Sequence, residues 1–180
     1  YKDSAESNES LASELRSRLL QMQDMLIERA LLHAVLGDLA EVNRTIIHAK
    51  SAGVSEDWLL TLRGTAFLHC GQNDLAVKEL EAAIKENSKN VSAKAMLSWA
   101  YFQAGEHEKW SQHYGFVDDA TPRQEWHAFD TYFLGYAYFY VDYNQAAAQF
   151  DEAVKEHPTW LFARLMRATA RSHQGYVDQD

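Results

Sequence analysis

Glycine returns at a fixed interval in this chain: Gly37, Gly71 and Gly105 stand 34 positions apart. A residue that tolerates left-handed backbone, repeated at such a period, marks one supersecondary unit copied along the chain, and such a unit cannot bury its apolar face alone. The stretch Trp58 to Asn90, WLLTLRGTAFLHCGQNDLAVKELEAAIKENSKN, shows the unit. It reads as two short amphipathic helices joined by a tight turn at Gly71, with apolar residues at intervals of three and four on each side. Helices of this length are marginal in water, so each apolar stripe needs a partner.

Other columns keep the period. The middle of each first helix carries a small residue, in the series Ala30, Gly64, Ser98, Gly135 and Ala168, as expected where two backbones approach closely. Three residues later come His33, Phe67, Tyr101, Tyr138 and Arg171. The second helices give Val42, Ala76, Trp110 and Ala146, then Ile46, Leu80, Tyr114 and Phe150, then Ala49, Ala83, Val117 and Ala153. Pro122 and Pro158 close two units. This pattern resembles the tetratricopeptide (TPR) repeat, a helix-turn-helix unit that stacks into a superhelix. The resemblance covers Asp24 to about Tyr176 and implies an all-α fold, a right-handed superhelix of TPR repeats, that is, an α-solenoid. It divides the chain into a helical extension or linker at 1–22, repeats at 23–56, 57–90, 91–124 and 125–160, and the first helix of a further repeat at 161–180. Trp110 stands where the pattern wants a small residue, so the third unit is expected to splay or repack around the indole.

Ahead of the repeats the chain is polar, acidic and serine-rich, and from Leu11 a stripe of Leu11, Leu15, Leu19, Met22 and Leu26 lies on one helical face. Ser7 or Ser10 is the expected N-cap, and Asp38 with Glu41 has capping-box spacing for the next helix. No useful stretch alternates as a strand should.

The net charge of −9 and a pI near 5.3 argue against nucleic-acid binding and against an anionic membrane surface. Cys70 is the single cysteine, so no intrachain disulfide forms, and its place beside the turn glycine reads as structural. The longest apolar uncharged run, Thr131 to Val141, has eleven residues, too short to span a bilayer. A chain that starts at Tyr1 without methionine reads as a piece of a longer protein. A cytoplasmic location is expected for it, with any membrane anchor lying outside these residues.

In TPR proteins the first helices line a concave face that holds a peptide or a protein segment, and the resemblance implies the same here. Helical geometry places Trp58, Thr61 and Thr65, then Trp99, Phe102 and Gln103, then Tyr132, Tyr136 and Tyr140 on that face. The expected groove is aromatic and nearly uncharged. Rings with polar tips suit peptide recognition, but the same rings could instead fill a tightly curled superhelix as core. The lysine, arginine and asparagine clamp with which some TPR proteins grip chaperone tails is missing, since Thr61, Thr65, Ser92 and Met96 stand at the comparable positions.

No catalytic residue, metal ligand set or cofactor is expected. The eight histidines form no HExxH or CxxC pairing, and no Gly-rich phosphate loop or GxSxG elbow appears. The expected function is noncatalytic binding of a protein or peptide. Two alternatives stand beside it: an oligomerisation scaffold that self-associates through its terminal helices, and a regulatory tail on a larger bacterial signalling enzyme such as a serine/threonine kinase.

Overall fold

The computed structural model describes residues 2–114, 129–139 and 141–177. Within them the chain is helical, with no strand: α1 (Lys2–Val35), α2 (Leu39–Ser51), α3 (Glu56–His69), α4 (Asn73–Glu86), α5 (Val91–Gln103), α6 (His107–Tyr114), α7 (Asp130–Tyr138), α8 (Tyr143–Glu156) and α9 (Leu161–Val177). Consecutive helices pack as hairpins, α1 on α2, α3 on α4, α5 on α6 and α7 on α8, while α1, α3, α5 and α7 also pack on one another in sequence. The architecture is an α-solenoid whose first helices form the inner layer.

The periodic glycines make the turns. Gly37, Gly71 and Gly105 have φ of 72°, 70° and 73°, and each closes the helix before it. At Gly71 the glycine N–H donates to Leu68 O at 3.0 Å and the next N–H, of Gln72, donates to Phe67 O at 2.9 Å. That pair of bonds is the left-handed C-terminal cap, which satisfies carbonyls the helix leaves open. The same cap at Gly37 sends the Asp38 N–H to His33 O at 2.9 Å. Asp38 therefore realises half of its capping box: its carboxylate accepts from the Glu41 N–H at 3.1 Å, but its own N–H is already taken. Glu41 turns instead to Arg44 and Arg29. Ser7 and Ser10 are not caps, because α1 already begins at Lys2.

Hairpins close because the small column meets the large one. A Cβ on Gly64 would stand 2.7 Å from Leu80 Cγ, and one on Gly135 would stand 2.8 Å from Phe150 Cε1. Both are separations that real Cβ atoms do not reach, so the glycines set how near α3 comes to α4 and α7 to α8. In the third unit Trp110 lies half-buried, edge-on to Phe102 at 5.9 Å. The expected run of that unit's second helix past Tyr114, the start of the fourth unit before Phe129, and Tyr140 lie outside the described residues.

The amino ends of α3, α5 and α7 are tied by a buried polar cluster. Asp57 accepts hydrogen bonds from the Ser55 hydroxyl at 2.5 Å, from Asn87 Nδ2 at 2.9 Å and from Asn90 Nδ2 at 2.8 Å. Asn90 in turn caps α5 by accepting from the Ala93 N–H at 2.7 Å. Asp130 accepts from the Ser92 N–H at 3.0 Å and from the Ser92 hydroxyl, so a carboxylate of α7 sits on the positive end of α5. Buried carboxylates are tolerated because every donor around them is used.

Two outcomes are expected in urea unfolding. Asp57→Ala leaves the buried Asn90 amide short of its carboxylate partner and lowers stability by about 2–3 kcal/mol. Gly135→Val, driven against the Phe150 ring, costs about 1–3 kcal/mol, and Phe150→Leu in the same chain returns part of that loss.

Candidate functional site

The concave side is filled by its own rings. Trp58 is 8% exposed, Trp99 6%, Tyr132 2% and Tyr136 9%. Trp58 on α3 reaches past α5 to Phe129 and Phe133, with ring centroids 6.2 and 6.0 Å apart. Tyr132 lies 4.3 Å from Trp160 and 5.4 Å from Tyr136, and burial drives its phenol pKa well above the ordinary value. Thr61 and Thr65 are fully or almost fully buried and turn their hydroxyls into their own helix, donating to Asp57 O at 2.7 Å and to Thr61 O at 2.8 Å. Of the nine expected groove residues, Phe102 is half-buried, Gln103 is exposed, and Tyr140 lies outside the described residues. Six of the nine are therefore interior, because the curl is tight enough that rings on alternate first helices touch.

One accessible region lies at the carboxyl ends of the first helices. A cleft of about 380 Å³ opens there between His69, Trp99, Gln103, Tyr136, Met166 and Thr169, so four helices contribute to its wall. Trp99 and Tyr136 pack at 5.2 Å, and the His69 ring completes a cluster at 5.5 Å from Trp99 and 5.9 Å from Tyr136. Among the described residues no charged side chain lines it. His69 is part of that neutrality, because burial among rings lowers its pKa to about 4 and leaves the imidazole uncharged at neutral pH.

Met166 and Thr169 were not among the residues the sequence placed on this face. They come from α9, and only the curl of the solenoid carries that helix over the mouth of the cleft. The opposite end of the same helices holds a second hollow, of about 390 Å³, walled by Gln23, Trp58, Asn90 and the two acids Asp57 and Asp130. Its carboxylates are already committed to the polar cluster. Among the described residues no group of three His, Cys, Asp or Glu side chains could hold a metal ion, and no helix is long and apolar enough to cross a membrane.

Four hairpins in register, three of them turned on glycines 34 residues apart, and a first-helix layer inside settle the architecture. The fold is a TPR-type α-solenoid. The sequence matches no protein-family model and none of the curated proteins. Among solved structures the chain is similar to MamA MSR-1 C2, at 18% identity and a TM-score of 0.41 over 88% of this chain and 90% of that one. It is also similar to YrrB, described as a TPR protein with an unusual peptide-binding site, at 21% identity and a TM-score of 0.41 over 77% and 71%. A TPR protein from Parabacteroides merdae is 24% identical with a TM-score of 0.42, covering 88% of this chain and 62% of that one.

The half-buried histidine has a pH signature. Its pKa is lower folded than unfolded, so the unfolded chain takes up the proton first and stability falls as pH drops from about 6.5 towards about 4. Comparing urea midpoints at pH 7.5 and 4.5, the wild type is expected to lose about 2–3 kcal/mol more than His69→Gln over that interval.

Proposed function

We propose that this chain is a noncatalytic binding module that holds a short protein or peptide segment at the cleft between α3, α5, α7 and α9. The observation that carries this reading is the convergence of Trp99, Tyr136 and His69 with an exposed amide, Gln103, at the carboxyl ends of the inner layer. Rings supply contact area at small entropy cost, and the amide can pair with a peptide backbone. A wall without charge favours an apolar or neutral side chain, since a charged one would lose water and find no counter-ion.

In this reading the eight described groove candidates divide their labour. Trp99, Tyr136 and Gln103 line the cleft and are the proposed contacts, while Phe102 packs on His107 and Trp110. Trp58, Thr61, Thr65 and Tyr132 act beneath them by fixing the curl that forms the wall.

A peptide array probed with the purified chain tests this. Wild type is expected to retain peptides with paired apolar residues, while Gln103→Glu, which puts a charge at the rim without touching the buried rings, is expected to lose at least about tenfold in affinity with its circular dichroism unchanged. Equal retention by both, on a folded variant, sinks the cleft as the binding site. Trp99→Ala is a poorer probe, because truncating a buried indole costs about 3–5 kcal/mol of stability by itself.

A further inference from the structure

The curl of the solenoid brings α1 of the first hairpin towards the turn between α8 and α9, and the two face each other across a seam. On the far side of it lies His157, the residue that closes α8. Its ring stacks on Phe129, with centroids 5.0 Å apart and planes 9° from parallel, and meets Trp160 edge-on at 6.1 Å. Its backbone is fixed as well: the N–H donates to Ala153 O at 2.9 Å, and the carbonyl accepts from the Trp160 N–H at 3.0 Å. A ring so firmly placed has one open feature. His157 Nε2 is buried and has no hydrogen-bond partner among the described residues. Buried polar atoms are normally paired, so an unpaired one in a rigid ring asks what it is kept for.

On the near side lies Glu28. It lines the same hollow as Trp160, of about 340 Å³, and stands on α1 between the buried Ile27 and Ala30. Burial raises its pKa; the pull of His157 opposes that rise, and Asp24, one turn earlier, adds to it. The carboxylate and the imidazole therefore sense each other directly across the seam. Other charged groups on the surrounding elements are engaged or turned to solvent. Arg29 of α1 reaches Glu41, Asp130 of α7 accepts from Ser92, and Glu156 of α8 accepts from Thr131. Arg164 of α9 is exposed. Both Glu28 and His157 lie in packed parts of the fold, since α1 rests on α2 and α3, and α8 on α7 and α9.

We infer that Glu28 and His157 form a proton-operated clasp between the first and fourth hairpins: the protonated imidazole donates from Nε2 to the Glu28 carboxylate and holds the curl closed, and the neutral imidazole releases it. Charge fixes the direction of the pH response. The imidazolium gains a carboxylate partner when the seam is closed, so the clasp is made below the titration of the histidine and lost as pH rises through it. It is lost again in stronger acid, once Glu28, whose pKa is already raised, takes up its own proton. Helix α9 also brings Met166 and Thr169 to the peptide cleft, so the clasp governs how firmly that wall is held. It operates whatever the cleft binds.

Double electron–electron resonance on the full chain tests this, with spin labels at Asn43→Cys on α2 and Ala148→Cys on α8, both exposed, in a Cys70→Ser background. At about pH 6 one narrow distance distribution is expected, and at about pH 8 a broader one shifted to longer distance. His157→Gln and Glu28→Gln are each expected to give the broad distribution at both pH values. A second measurement needs no labels: in a proton NMR titration of the His157 ring, Glu28→Gln is expected to lower the midpoint. Wild-type distributions that coincide at the two pH values overturn the clasp. So does a His157→Gln chain that still responds to pH, and so does a His157 midpoint that Glu28→Gln leaves in place.

Discussion

The close approach of a small residue to a large one inside each hairpin governs the rest of the molecule. Gly64 under Leu80 and Gly135 under Phe150 let the paired helices come nearer than a larger side chain would permit. Solenoid curvature is the sum of small rotations between repeats. Here the sum is large enough that Trp58 touches Phe129 and Phe133 two units away, and that the hollow beside α1 is shared with the start of α9. A looser fit in one hairpin would be felt as a displacement of rings several helices distant.

That curl changes what the aromatic residues do. A stripe of rings on an open concave surface would be a broad apolar groove; wound this tightly, the same rings become the interior on which α3, α5, α7 and Trp160 rest. Their burial supplies most of the apolar contact of the inner layer and leaves access where the first helices end. The two ends of that layer are treated differently. At the amino ends Asp57 accepts from Asn87 and Asn90 while Asp130 accepts from Ser92, so both carboxylates are partnered. At the carboxyl ends a neutral histidine, an amide and three rings surround empty space.

Much of this was legible in the residue order. The period of 34, the turn glycines, the alternation of small and large columns and the all-helical class are local properties, each depending on residues within a few turns, and the helices follow them to within a residue or two at Val35, Ser51 and Gln103. The same order identified which side of each first helix faces inward. It did not carry how far the stack curls, because curvature accumulates from sub-ångström fits between helices distant in sequence, such as Gly135 against Phe150. Ring packing across the concave side, the burial of Thr61, Thr65 and Tyr132, the neutral state of His69 and the arrival of Met166 and Thr169 at the cleft all hang on that sum. Sequence decided the unit and its inward face; tertiary structure alone decided whether that face would be a groove or a core.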